Sequence, residues 1–441
     1  MFKVCVIGSG HVGLVTAACL AELGNEVVAV DKSRSLIDTL SMGSVPFYEE
    51  NLEPLVKEGL KNGRLSFTCD LHEAVQKSQI IFICVDTPTL SDGQADLTNL
   101  LGVYNQIAIS TDEEKFIVIK STVPPETARS CAWPLNYHIV SNPEFLKQGK
   151  GVEDFMNPDR IVIGAESEAA WHTMLELYEP FAEKGIPIIS TDHETAELAK
   201  QAANTFLGIK ISFINEMAHI CAKTGADVEK LAEIIGSDAR ISPHFLKPGP
   251  GFGGPCLVKD IHSLMHTARK HECSLQMAYA AMKVNEWTQP KMIVDRIDKS
   301  IGLDDVKIAV LGLVFKADTD CITNSPAVEI IRTLQDEGVI VVAHDPAVDS
   351  VEDIECTNSP YAACQNADML LILTEWPEFR QLDYAHIYKI MATKVIYDTR
   401  NLLNPDLMRE AGFEYMDNGR TPVNIGIQEE VEAQKCAGIG K

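Results

Sequence analysis

The chain of 441 residues carries 63 Asp and Glu against 38 Lys and Arg, a formal net charge of −25. Such a field works against nucleic acid or an anionic membrane as a partner, and no apolar run reaches the ~18 residues of a membrane span. The twelve cysteines are scattered with no Cys-x-x-Cys pair, which argues against zinc or a disulfide framework and fits a reducing, cytoplasmic setting.

The length suggests two or three domains, and the opening MFKVCVIGSG reads as a strand, not a signal peptide. Residues 2–8 predict a strand, 12–23 a helix and 26–31 a second strand. Between the first two lies Gly8-Ser-Gly10-His11-Val12-Gly13. In that setting the first glycine serves a tight turn, the second admits a pyrophosphate and the third lets helix and strand pack closely. The helix N-terminus then faces the pyrophosphate. Asp31 ends the second strand, where a carboxylate meets the adenosine ribose hydroxyls and favours NAD over NADP.

Further strands are expected at 79–85, 116–120, 137–140 and 161–164. Asp86, Thr87, Thr122 and Glu144 follow the first three of these. Ligands bind at the carboxyl ends of strands in open α/β sheets, so these four are site candidates. Thr-Pro and Asn-Pro pairs also simply make turns, which is the plainer reading of each.

Thr191 and Glu194 have the spacing of a capping box, opening a helical run over 192–223. Its apolar residues cover more than one face, as in a helix buried between layers or in a dimer. Lys200 and Asn204 share a face and can stabilise an oxyanion, or form a solvated polar edge. Residues 225–245 suggest a helical hairpin with Arg240 near its end. Then comes Gly-Pro-Gly-Phe-Gly-Gly-Pro-Cys256-Leu-Val-Lys-Asp260. Pro255 suits a first helical position, placing Cys256 in the first turn with Asp260 on the same face. A thiol there is a candidate nucleophile, although many cysteines are only packed apolar groups.

A second α/β region is expected from 306, with strands at 307–311, 339–344, 369–374 and 394–398. Its first turn, Leu311-Gly-Leu-Val-Phe315-Lys316, lacks the second and third glycines, so a ligand other than a dinucleotide is expected. Residues 427–441 read as a loose acidic tail.

Taken in order, GSGHVG at 8–13, PFYEENL at 46–52, KSTVP at 120–124, SNPEFLKQG at 141–149, AELAKQAANTF at 196–206 and GFGGPCLVKD at 251–260 resemble the UDP-glucose/GDP-mannose dehydrogenases. The likeness spans nearly the whole chain and is strongest to the UDP-glucose branch. It implies two Rossmann-like, doubly wound α/β domains joined by a long central helix and a helical dimerisation region. The boundaries implied are 1–190 for NAD binding, 191–300 for the central helices and the cysteine loop, and 301–441 for sugar-nucleotide binding. It implies a cytoplasmic homodimer that uses NAD and no metal to oxidise a nucleotide-sugar alcohol to a carboxylate, here UDP-glucose to UDP-glucuronate for polysaccharide synthesis.

By the same likeness Cys256 is the nucleophile, Lys200 and Asn204 stabilise an oxyanion, and Asp260, Thr122 and Glu144 surround the hydrolytic water. Gly8, Gly10, His11, Val12, Gly13, Asp31, Thr87 and Thr122 would hold the cofactor. Glu144, Phe145, Leu146, Lys147, Lys200, Asn204, Phe245, Lys247, Gly253, Phe315 and Lys316 would hold the substrate, with Arg240 reaching a neighbouring subunit's site. Three departures stand out: Gln148 replaces a usual Glu, Thr323 a usual Arg, and Cys-Leu-Val-Lys-Asp with Pro255 the usual Ser-Cys-x-Pro-Lys-Asp. Gln148 is a poorer base, and Glu at 148 is expected to speed thioester hydrolysis. The alternatives are a GDP-mannose 6-dehydrogenase, a weakened sugar-nucleotide-binding relative, or a two-electron dehydrogenase of the hydroxyacid type.

Overall fold

A computed structural model describes residues 1–131 and 133–420; the tail expected at 427–441 lies outside them. The chain divides into two compact units. One is Met1–Thr205 with Lys259–Leu275, the other Phe206–Val258 with the chain from Gln276 onward.

The first unit is built on eight strands: β1 (Lys3–Ile7), β2 (Glu26–Val30), β3 (Leu65–Thr68), β4 (Ile80–Ile83), β5 (Lys115–Ile119), β6 (Tyr137–Ser141), β7 (Ile161–Gly164) and β8 (Ile188–Thr191). They lie in the order β3-β2-β1-β4-β5-β6-β7-β8, parallel except where Ser141 of β6 meets Gly164 of β7 antiparallel. Val4, Val6, Ile80, Phe82 and Val118 feed one apolar cluster, and Cys5, Ile7, Ile81, Ile83 and Ile117 another. That alternation buries both faces, which is why the strands read as unbroken apolar runs.

The second unit carries β9 (Lys307–Leu311), β10 (Ile340–His344), β11 (Glu355–Cys356), β12 (Met369–Ile372), β13 (Val395–Asp398) and β14 (Glu414–Asp417). Their order, β11-β10-β9-β12-β13-β14, repeats the 3-2-1-4-5-6 winding of dinucleotide-binding folds. Every pair in this sheet is parallel. Two doubly wound parallel sheets and one long helix are thus the fold expected above. The strands β3, β8, β11 and β14 went unread because each is short, exposed at alternate positions or at a sheet edge.

The long helix is His193–Thr224, 32 residues, about 48 Å at 1.5 Å per residue. Its cap is Asp192, not Thr191: Asp192 Oδ1 accepts from Thr195 N at 2.7 Å. Thr191 is already the last residue of β8, with its carbonyl accepting from Ala165 N. The expected hairpin at 225–245 is a single helix, Val228–Gly236, followed by turns. The cysteine-loop helix begins at Leu257, so Pro255 and Cys256 form a turn just ahead of it. Further on, Gln276–Lys283 passes through a π-helical segment, Val284–Thr288, into Gln289–Ile301. Among the described residues no helix is long and apolar enough to cross a membrane, and no cluster of three metal-ligating side chains occurs.

Candidate active site

The glycine turn after β1 has the geometry its spacing requires. Gly8 has φ +96°, and a Cβ on Gly13 would lie 1.7 Å from the Gly8 carbonyl oxygen. A Cβ on Gly10 would meet nothing within 4 Å, so this glycine faces open space. The helix His11–Glu22 starts here without an acidic residue in its first turn, leaving its positive end available to an anion. Asp31 Oδ2 accepts from Ser9 N at 2.9 Å, and Oδ1 accepts from Ser33 N at 2.9 Å. Gly8, Gly10, Asp31, Asp86 and Asn99 help line a cavity of about 320 Å³. A dinucleotide fits this set: open space at the second glycine, a helix N-terminus for phosphate, and a carboxylate fixed at the strand end for the ribose. Thr87 is buried and donates its hydroxyl to the Thr122 carbonyl at 2.6 Å, which joins the ends of β4 and β5.

Beside this turn, His11 stacks on Phe47 with ring centroids 3.9 Å apart. Gln148 Nε2 lies 3.3 Å from His11 Nε2. Position 148 therefore adjoins the cofactor loop. Buried Glu49 ties the segment down by accepting from the Gly149 and Gly151 amides.

In the same unit four predicted residues form two buried pairs. Lys200 Nζ is 2.9 Å from Glu144 Oε1, with both side chains buried. Asn204 Nδ2 donates to Asp260 Oδ2 at 2.6 Å, and Asp260 Oδ1 accepts from Lys259 Nζ at 2.7 Å. Burial works to raise the Glu144 pKa. Lys200, the Leu146 amide and Lys120 outweigh it and hold the carboxyl below its ordinary range. Lys120 is the cation the sequence reading missed. It is buried, donates to Asn142 Oδ1 at 3.2 Å, and burial pulls its pKa down. Its KSTVP position, one residue past a strand end, was the available signal. Phe145 carries Arg160 3.6 Å above its ring and Lys200 at 5.5 Å. With Leu146, Lys147, Lys150 and Asp159 it lines a cavity of about 330 Å³. Lys147 itself is paired with Asp154 at 3.0 Å.

The second unit holds the cysteine loop. Asn215 Oδ1 accepts from Gly249 N at 2.8 Å, and Gln289 Nε2 donates to the Gly249 carbonyl at 2.7 Å. Asn285 grips Phe252 at both ends, accepting from its amide at 2.7 Å and donating to its carbonyl at 2.9 Å. A Cβ on Gly253 would lie 2.2 Å from the Asn324 carbonyl oxygen, and one on Gly254 2.8 Å from the Phe315 ring. Gly253 and Phe315 are therefore brought together, and glycine is required there because backbone and ring close on the loop. Thr323, at the family's usual arginine position, contributes its carbonyl to Gly254 N at 2.8 Å. Cys256 is exposed, not packed in hydrocarbon.

Lys247 borders a cavity of about 460 Å³ with Arg380, Arg400 and Asn401. Arg400 was not singled out from sequence, although it follows a strand end, Asp398, by two residues. It donates to the Leu373 and Phe315 carbonyls and pairs with Glu375 at 3.0 Å. Phe245 is partly exposed with φ +63°. Arg240 is exposed and folds back onto Asp238 at 2.6 Å.

Three family models match the chain in series. They are the NAD binding domain of the UDP-glucose/GDP-mannose dehydrogenase family over residues 2–182, its central domain over 194–287 and its UDP binding domain over 309–405. A UDP-glucose 6-dehydrogenase of Rhizobium meliloti is 40% identical over 435 residues, covering 95% of this chain and 99% of that protein. UDP-glucose 6-dehydrogenase TuaD of Bacillus subtilis is 40% identical over 438 residues, covering 96% and 94%. Among solved structures, a UDP-glucose dehydrogenase from Pyrobaculum islandicum superimposes with a TM-score of 0.87 at 34% identity, covering 96% of this chain and 98% of that one.

Proposed function

The chain belongs to the UDP-glucose/GDP-mannose dehydrogenase family, and from that premise we propose that it oxidises UDP-glucose to UDP-glucuronate with NAD. The observation that carries the mechanism is the buried Lys200–Glu144 pair beside the Asn204–Asp260 pair. Charged and amide groups are retained out of water where an oxyanion and a reacting water need them.

Bound NAD supplies the hydride acceptor, once for the alcohol and once for the carbon held on sulfur. The glycine turn at 8–13, with Asp31, orients it. The Cys256 thiolate adds to the aldehyde carbon, and Lys200 Nζ and Asn204 Nδ2 donate to the oxygen of the resulting thiohemiacetal. After the second oxidation a water attacks the thioester carbonyl, and the sulfur leaves as thiolate. Asp260 or Glu144 takes a proton from that water, Glu144 being held ionised by Lys200. Thr122 helps place it. Holding the aldehyde on sulfur keeps it from escaping between the two oxidations. Lys247, Lys316 and Arg400 offer the positive charge a diphosphate needs on an otherwise acidic protein.

We also read the molecule as a cytoplasmic homodimer. Phe206, Phe213 and Ile220 recur at intervals of seven along the central helix and are 59%, 44% and 53% exposed. Such a seam suits pairing with a second copy, and in that dimer Arg240 would serve the partner's site. Sedimentation of the chain with Phe213→Glu tests this, with a shift to monomer expected.

The decisive experiment offers UDP-glucose and GDP-mannose separately with NAD and with NADP. Two NADH per UDP-glucose are expected, with no net oxidation by Cys256→Ala. One NADH per sugar would favour a two-electron enzyme, and turnover of GDP-mannose alone would reassign the substrate.

A further inference from the structure

Oxidising an alcohol to a carboxylate takes up one water. The hydrogens that do not leave as hydride must leave as protons, and they start from surroundings in which Lys200 and Glu144 are buried. We propose that Glu197, Ser141 and His193 form a chain of proton carriers linking the Lys200 chamber to the surface at the start of the central helix. The inference rests on the dehydrogenase reading given above.

Glu197 stands three residues before Lys200 and seven before Asn204, on the same helix face. With Lys200, Thr122, Ser121 and Ser141 it lines a cavity of about 10 Å³, roughly the room one water needs. The residue is 3% exposed and forms no ion pair with any described residue. Its Oε1 accepts from Ala128 N at 2.9 Å and from Ser141 Oγ at 3.2 Å. Its Oε2 is buried and makes no hydrogen bond to any described residue. A purely structural carboxylate at this depth is expected to use both oxygens. Burial pushes its pKa up to about 7, against the pull of the Ala128 amide, the Ser141 hydroxyl and the Thr127 amide, while Glu194 adds to the rise. Such a group takes up and gives up a proton near neutrality.

From Glu197 the path continues without a gap. Ser141 Oγ is 3.0 Å from His193 Nδ1 as well as bonded to Glu197. A hydroxyl both donates and accepts, and an imidazole has two nitrogens. In one arrangement Ser141 donates to Glu197 and accepts from His193. In the other, protonated Glu197 donates to Ser141, which donates to His193. Passing from one to the other moves a proton along the row with no heavy-atom displacement.

His193 is the first residue of the helix. The charges facing it are Glu166, Glu194, Asp192 and Arg129, and burial lowers its pKa. His193 is itself 5% exposed, and beyond it lies the exposed Arg129, paired with Glu166 at 2.5 Å and Glu194 at 2.6 Å, so the row ends one shell beneath a solvated ionic cluster.

The test uses the full-length enzyme with UDP-glucose and NAD, comparing wild type with Glu197→Gln and Ser141→Ala. In wild type, kcat is expected to rise with pH through about 7 as Glu197 loses its proton. Glu197→Gln keeps the shape and the Ala128 contact but carries no proton. It is expected to lower kcat about a hundredfold, leave both KM values within about twofold, and erase the limb near pH 7. Ser141→Ala is expected to lower kcat and to enlarge the solvent deuterium isotope effect, with little further loss when combined with Glu197→Gln. A wild-type pH profile and isotope effect in both variants would overturn the relay and leave the dehydrogenase reading standing. A wild type that forms no NADH would overturn both.

Discussion

The turn after β1 and the turn after β9 are the same device used in two ways. Each begins with a left-handed glycine, Gly8 at φ +96° and Gly312 at φ +99°. Each receives a carboxylate from the end of the next strand in the sheet. Asp31 Oδ2 accepts from Ser9 N at 2.9 Å; Asp345 Oδ2 accepts from Leu313 N at 2.7 Å and Val314 N at 3.2 Å. There the likeness stops. Asp31 is partly exposed and lines a cavity. Asp345 is 4% exposed, bonds also to Trp376 Nε1 and the Ala347 amide, and has no capacity left for a ligand. Thr374 lies 2.3 Å from where a Gly312 Cβ would be and donates to the Val314 carbonyl. A doubly wound frame thus sets where a ligand can sit, and side chains decide whether the place is open.

The most severe way to break the comparison is at the glycines. Gly13→Ala, with its Cβ 1.7 Å from a carbonyl oxygen, is expected to abolish NAD binding, as read by cofactor fluorescence quenching. Gly312→Ala is expected to cost ~3 kcal/mol or more in stability through strain and overlap, without changing NAD affinity in the folded protein.

The carboxylates buried beside each sheet give the next contrast. Burial raises Glu197 to about 7, and the neighbouring Lys200 is paired with Glu144 instead. Burial also raises Asp417 to about 6, with Arg420 pulling it back. A raised folded pKa gives stability that is complete below the unfolded value and is lost as pH rises through the folded one. Glu197→Gln is therefore expected to melt like wild type below about pH 4.5, progressively higher than wild type as pH rises from there to about 7, and higher by a constant ~3 kcal/mol above that. Calorimetry across that range checks it.

The two aspartates follow. Asp31→Ala is expected to raise the KM for NAD about thirtyfold, ~2 kcal/mol, with little change in melting temperature. Asp345→Asn is expected to do the reverse, costing ~2 kcal/mol of stability with an unchanged KM. Smallest is Gln148→Glu. The His11 contact places the new carboxylate beside the phosphate end of the cofactor loop, so a KM for NAD raised about threefold is expected. That loss is set against any gain in thioester hydrolysis.

Much of this was legible in the amino acids because periodicity and glycine spacing act locally. The runs at β1, β4, β5 and β9, the 8–13 turn and the long helix all declared themselves in that way. Lys200 and Asn204 are one helical turn apart on the central helix, so their proximity along the chain is real proximity. What stayed hidden depends on distant partners. Nothing near Glu197 in sequence announces Ser141 or Ala128, which arrive from other strands and turns. Asp192 displaced Thr191 as the cap because strand β8 had already claimed the threonine's backbone. Arg400 carries no motif of its own, and its reach to the Phe315 carbonyl, 85 positions away, exists only once β9 and β13 have joined the same sheet.

The π-helical segment Val284–Thr288 has a consequence for length. One extra residue in a helical turn shifts everything after it by ~100° around the axis. Asn285, whose amide clasps Phe252 on both sides, sits within that widened turn. Deleting a single residue from 286–288 would let the turn relax to ordinary winding and swing the downstream Gln289, and with it the Gly249 carbonyl contact, out of register. The thiol-bearing loop would then be slackened by a cut made thirty positions from its sulfur.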